Sequence, residues 1–183
     1  MKNSLSVVQA IARQTFAKIV PPQAIETYSI RVRALAGAYD TLLAEERESA
    51  GINTIIERAV APHHEPGDNR FRLDGPTISV PPKAVAALSL VLHELATNAT
   101  KYGALSNLTG HVELTWREQD ERIHVDWTEH GGPPVTKPER EGFGTKVVSR
   151  AFTPEFEAEV AFDYRPDGLH FSLVFKPVAS STK

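Results

Sequence analysis

The segment His93-Glu94-Leu95-Ala96-Thr97-Asn98-Ala99-Thr100-Lys101-Tyr102 places Glu94 and Asn98 four residues apart, with Lys101 three further on. On a helix these three side chains fall within about 60° of arc, opposite much of the apolar stripe of the same segment. A carboxylate, a carboxamide and an ammonium in that arrangement suit a phosphate–metal site. The Asn98 oxygen can ligate Mg²⁺, which favours hard oxygen donors and shares phosphate partners. Glu94 can orient a nucleophile or accept its proton, and Lys101 can neutralise phosphate charge. Taken alone, the trio is also the pattern of a solvated helix face with an incidental charge pair. The zinc-protease helix His-Glu-x-x-His is excluded, because Thr97 stands where its second histidine belongs.

Two glycine clusters point to a nucleotide. Trp127-Thr128-Glu129-His130-Gly131-Gly132 ends a strand pattern and enters a loop, and Gly142-Phe143-Gly144-Thr145 precedes a short helix pattern. Glycine lets backbone approach a ligand closely, and a helix N-terminus offers N–H donors to phosphate. Glu129 could accept a hydrogen bond from an adenine amino group. Neither cluster is a P-loop, since Gly-x-x-x-x-Gly-Lys-Ser/Thr is absent. Each glycine pair is weak evidence by itself. Their order along the chain, after the Glu94–Asn98 helix, is far more specific.

The elements that must position these residues follow from periodicity. Leu5, Val8, Ala12, Thr15 and Ile19, then Ile25, Tyr28, Val32, Leu35, Tyr39 and Leu42, form heptad seams on two segments separated by Pro21-Pro22. This predicts an antiparallel helical hairpin over residues 1–48 that forms a homodimeric four-helix bundle through residues 3–45. Beyond the charged stretch 43–51, Ile52, Ile55, Ile56, Ala59 and Val60 share a helix face. Short strands are expected at 71–73 and 77–80. A long helix opens at Pro81-Pro82 and runs to about Tyr102, with Val85, Leu88, Leu92, Leu95 and Ala99 inward and Gly103 as its C-terminal cap. Alternation predicts strands around Val112–Trp116 and Ile123–Trp127, then Phe156–Phe162 and Leu169–Phe175 about an Arg165–Gly168 turn. A short helix is expected over 145–152. The fold class is α+β: a hairpin followed by a sheet covered by helices on one side, over residues 49–178, with a polar tail at 179–183.

Composition narrows the function classes. Of 183 residues none is cysteine, which removes disulfides and thiolate chemistry. Twenty basic against 23 acidic residues leave a net charge of −3, so there is no electrostatic footprint for nucleic acid. No apolar run reaches the roughly 18 residues that span a bilayer, and the first residues are too polar for a signal peptide. A cytoplasmic location is the default expectation.

Together these motifs resemble the HWE histidine kinases, a subfamily of bacterial two-component sensors. HELATNATKYGALS (His93–Ser106) is similar to the family's N box, and His93, Trp127 and Glu129 match the residues in its name. Gly142–Thr145 resembles its second glycine box, and Lys2–Thr15 its phosphoacceptor helix. The resemblance implies a dimerisation hairpin and a Bergerat-type ATP-binding domain, shared with gyrase, Hsp90 and MutL. It implies ATP bound with Mg²⁺, transfer of the γ-phosphate to a hairpin histidine, and relay to the Asp of a response-regulator receiver domain. Carried over by motif, Asn98 binds Mg²⁺, Glu94 activates or positions the acceptor, Lys101 contacts phosphate and Glu129 the adenine. Tyr102, Trp127, Gly131, Gly132, Gly142, Phe143, Gly144 and Thr145 shape the nucleotide site. His93, about 100° round the helix from Glu94, is open to a catalytic or a structural role.

The departure lies in the acceptor. The family pattern puts its histidine two positions before Met1, and the seven histidines (63, 64, 93, 111, 124, 130 and 170) all lie beyond the hairpin. The chain as written is therefore expected not to autophosphorylate on its bundle, and a sensor domain is expected N-terminal in a longer parent. The rival readings are a dimeric adaptor that docks a response regulator without autophosphorylation, and a protein-serine kinase of the same nucleotide fold. The heptad hairpin argues against the second. Thr153-Pro154-Glu155-Phe156 also departs from the family's usual Leu-Gly-Gly turn.

Overall fold

The computed structural model describes residues 15–16, 20–21, 23–26, 28–29, 50–63, 69–137, 148, 151–152 and 156–177. The chain forms two compact units, Met1–Arg47 and Glu48–Lys183. In the first, residues 15–16, 23–26 and 28–29 are helical, and the Ala24 N–H donates to the Pro21 carbonyl at 2.9 Å. Most of the heptad seam, the glycine box Gly142–Thr145, the 153–155 turn and the polar tail lie outside the described residues.

The second unit builds a five-stranded mixed sheet from β2 (Phe71–Asp74), β4 (His111–Gln119), β5 (Arg122–His130), β6 (Glu159–Arg165) and β7 (Gly168–Phe175), in the order β2-β4-β5-β7-β6. The short strands β1 (Ala50–Gly51) and β3 (Ser79–Val80) pair separately, with Ala50 opposite Val80. Helices α1 (Ile52–Val60) and α2 (Pro82–Lys101) pack on each other. Alternation assigns the faces. Val112, Leu114, Trp116, Ile123, Val125, Trp127, Phe171, Leu173 and Phe175 are all buried, while the intervening residues stand on the other, polar face. Ile52, Ile55, Ile56, Ala59 and Val60 of α1, and Val85, Leu88, Leu92, Leu95 and Ala99 of α2, are buried as their spacing requires.

Three expectations are corrected. The strand expected at 77–80 shortens to Ser79–Val80, since only that stretch finds a partner, at Ala50–Gly51. Strand β6 begins at Glu159 rather than Phe156, because Glu157 takes a left-handed backbone (φ 45°) that breaks the extended run. Gly103 has φ −105° and forms no left-handed cap. It is glycine because a Cβ there would collide with the Glu129 carboxylate.

The β4–β5 hairpin turns on two residues, Asp120 and Glu121, both left-handed with φ 53° and 59°. A two-residue turn of this sort matches the sheet's right-handed twist, but it favours glycine over a residue with a Cβ. Replacing exposed Glu121 by glycine is expected to raise stability by about 0.5–1 kcal/mol. Urea-unfolding midpoints of the two proteins check this, and a lower midpoint in Glu121→Gly contradicts it.

Candidate functional site

Helix α2 carries a stripe of residues spaced four-three-four-three: Ala87, Val91, Glu94, Asn98 and Lys101. Its burial falls along the helix. Ala87, Val91 and Glu94 are 7%, 0% and 3% exposed, Asn98 is half-buried, and Lys101 is exposed. Glu94 therefore sits inside the molecule and not on the solvated face that the trio's pattern also allows, because the N-terminal part of this stripe is also core. The stripe leaves the core at Asn98. Among the described residues, neither the Asn98 carboxamide nor the Lys101 ammonium makes a hydrogen bond or ion pair. Tyr102, 73% exposed, follows directly.

The helix exit is tied to the end of β5. Trp127 and Glu129 are two apart on one strand, so both side chains point to the buried face. The Trp127 indole N–H donates to Glu129 Oε1 at 3.3 Å, and the Ala104 backbone N–H donates to Glu129 Oε2 at 2.8 Å. Glu129 is 3% exposed. Burial pushes its carboxyl above the ordinary carboxylate range, and these two hydrogen bonds offset only part of that shift.

Around this carboxylate the loop 103–110 is fastened to the start of the loop after β5. Asn107 Nδ2 donates to the Gly131 carbonyl at 2.8 Å, while its Oδ1 accepts from the Gly110 N–H at 2.7 Å. Arg70 donates to the carbonyls of Gly110 at 3.0 Å and Ala104 at 3.3 Å, and to that of Asn107. Gly131 is left-handed (φ 68°), and a Cβ on Gly132 would stand 2.7 Å from Ala104 Cα. A left-handed backbone accounts for Gly131, and packing against the helix-exit loop accounts for Gly132. Arg70, Asn107 and Gly110 were missed in the sequence, and Gly103 was read there as a helix cap. The Ser-Asn-x-x-Gly run at 106–110 has the composition of an Asx turn and could have marked Asn107.

His93 faces another way. Its ring lies 5.9 Å from that of His63, which follows α1. The Thr100 hydroxyl donates to the Ala96 carbonyl at 2.9 Å and so accepts from His63 Nδ1 at 3.0 Å. Burial, and then the neighbouring His93, hold His63 below the usual imidazole range. His93 thus belongs to the seam between α1 and α2. Gly142, Phe143, Gly144 and Thr145 lie outside the described residues.

A mixed sheet with its helices on one face, and a long helix whose exit packs against a glycine-bearing loop, is the fold of histidine kinase catalytic domains. The histidine kinase domain of the Erythrobacter litoralis EL346 blue-light-activated kinase superposes with a TM-score of 0.69, covering 93% of this chain and 81% of its own, at 17% identity. The histidine kinase ThkA, solved in complex with the response regulator TrrA, has a TM-score of 0.54 over 98% of this chain and 60% of its own, at 13% identity. In sequence, the model of the HWE histidine kinase family matches residues 1–77. A blue-light-activated histidine kinase of Brucella anthropi is 43% identical over 92% of the chain, and the chain spans 35% of that protein's length. The chain is thus similar to the HWE histidine kinases in sequence and to histidine kinase domains in fold.

The raised Glu129 carboxyl gives a signed pH dependence. Between its unfolded and folded pKa values the folded state holds the extra proton. Its contribution to stability is therefore complete below the unfolded value and is lost as pH rises through the folded one. Glu129→Gln is expected to flatten that decline while weakening one of the two hydrogen bonds. Urea midpoints from about pH 4 to 8 read it, and parallel profiles for the two proteins contradict it.

Proposed function

We propose that the chain is the catalytic core of a two-component sensor histidine kinase. On this reading residues 49–178 bind ATP with Mg²⁺, and the γ-phosphoryl group passes to a histidine on a helical hairpin and then to a response-regulator aspartate. The observation that carries the reading is the stripe Glu94–Asn98–Lys101, which leaves the core beside a glycine loop with Asn98 and Lys101 unengaged among the described residues. The donor set fits the group: a carboxamide oxygen is a hard Mg²⁺ ligand, and an ammonium complements phosphate. When bound, Mg²⁺ neutralises phosphate charge and orients the nucleotide.

The chain's own residues then divide the work. Asn98 holds the metal from the helix. Glu94, shielded from water one turn earlier, positions the attacking imidazole and takes its proton. Lys101 contacts phosphate, and Tyr102 borders the nucleotide. Glu129 retains acceptor capacity for an adenine amino group while its two present hydrogen bonds fix its orientation. Gly131 and Gly132 keep the loop close to the helix exit, and Gly142, Phe143, Gly144 and Thr145 supply the second glycine box. Residues 1–48 form the homodimerisation hairpin and the surface for the receiver domain. ThkA's complex with TrrA supports that partner class. No helix among the described residues is long and apolar enough to cross a membrane.

The second reading is the non-autophosphorylating adaptor: residues 1–48 themselves hold no histidine, and the family pattern places the acceptor two positions before Met1. Two measurements separate them. Titration calorimetry is expected to show ATP–Mg²⁺ binding that Asn98→Ala weakens by about tenfold or more. With a His-Arg extension before Met1, radiolabelled ATP is expected to leave an acid-labile, base-stable phosphoprotein. Glu94→Ala is expected to cut that labelling by about a hundredfold or more while changing nucleotide affinity far less. Absence of ATP binding at millimolar nucleotide defeats the kinase reading. Regulator capture that ignores both ATP and Asn98→Ala establishes the adaptor.

A further inference from the structure

The polar face of the sheet carries a cluster that the nucleotide chemistry does not use. His111 opens β4, Glu113 follows two residues later on the same face, and His130 closes β5 directly opposite His111. The two imidazoles stack with centroids 4.9 Å apart and planes inclined by 21°. His111 Nε2 lies 3.6 Å from Glu113 Oε1, and His130 Nε2 lies 3.5 Å from Glu113 Oε2. One ligand atom from each residue can be chosen so that all three fall within 4.8 Å of one another. His130 Nε2 is also shielded from solvent and has no hydrogen-bond partner.

We propose that His111, Glu113 and His130 form a binding site for a divalent transition-metal ion of the Zn²⁺ class on the outer face of the sheet. Metal–ligand bonds of about 2.0–2.2 Å in tetrahedral geometry set ligand atoms roughly 3.3–3.6 Å apart, so a ligand set already within 4.8 Å needs only small side-chain rotations to close on an ion. Two imidazoles and one carboxylate suit Zn²⁺, Ni²⁺ or Cu²⁺, whereas Mg²⁺ and Ca²⁺ require oxygen donors throughout. The site is therefore chemically distinct from the Mg²⁺ position proposed at Asn98. Three protein ligands leave a fourth position for water or another donor. Strand register holds the ligands: two come from one strand, the third from its paired neighbour, and none from a loop. Arg72, whose Nη1 is 2.9 Å from Glu113 Oε1, orients the carboxylate from β2 and leaves Oε2 toward His130. A bound ion ties the ends of β4 and β5 together beside Gly131, one residue beyond His130.

The test is calorimetric titration of the untagged, EDTA-stripped chain with ZnCl₂, and separately with MgCl₂. One Zn²⁺ per chain is expected, with no comparable Mg²⁺ binding at this site. His111→Ala, His130→Ala and Glu113→Gln are each expected to weaken Zn²⁺ by about tenfold or more, the range that follows even from altering groups around a metal site. His124→Ala, further along the same face of β5, is expected to leave it unchanged. Melting temperatures in EDTA verify that each variant folds, and the rise that Zn²⁺ gives the parent chain is expected to vanish in the His111→Ala/His130→Ala double variant. Undiminished Zn²⁺ affinity in that folded double variant, or no binding at millimolar Zn²⁺, overturns the site.

Discussion

A carboxylate withdrawn from water must find donors, and Glu129 finds them on two separate pieces of chain. Its Oε1 receives the Trp127 indole and its Oε2 the Ala104 backbone N–H. That requirement accounts for much of the surrounding structure. It sets the spacing of two between Trp127 and Glu129, because only alternate residues of a strand share a face. It demands glycine at 103, where a side chain would occupy the carboxylate's position. It also brings the exit of α2 against the end of β5, which is where Asn98 and Lys101 leave the core. A strand end with a Trp-x-Glu sequence is thus a clamp between helix and sheet before it is anything else.

The remainder of the helix-exit loop is held by groups that carry no chemistry of their own. Asn107 and Arg70 satisfy backbone carbonyls and N–H groups of a segment whose regular structure is limited to the single 3-10 turn Ala104–Ser106. The loop is thereby defined without relying on a ligand to order it. Preorganisation of this kind lowers the entropy cost of binding, since the groups need not be fixed at the moment a nucleotide arrives. His63, His93 and Thr100 perform a comparable service where α1 meets α2.

Much of this was legible in the sequence, for reasons that can be named. The inward residues of α2 recur at helical spacing, and those of β4, β5 and β7 alternate, so burial follows from period alone. The pairing of α2 with a glycine loop also followed from residue order. What stayed hidden depends on distant partners. Nothing near Phe71 announces that β2 runs parallel to β4, because that register links residues some forty positions apart. Glu94 reads as a surface residue from its type, and only the burial of Ala87 and Val91 above it shows that its stripe starts within the core. Gly103 carries the sequence signature of a helix cap, yet its reason is a side chain 26 residues ahead.

The pleat of β5 makes one further demand. Glu129 and His130 are covalent neighbours, yet they belong to opposite sides of the sheet, one buried and one facing outward. The strand works as a partition, and its register decides which chemistry faces which compartment. Inserting or deleting a single residue anywhere between the hairpin turn and position 129 would exchange the two sides, sending an imidazole inward and a carboxylate outward. Strand length in this domain is consequently under tighter constraint than strand composition, and the tight two-residue turn at Asp120–Glu121 is the element that enforces it.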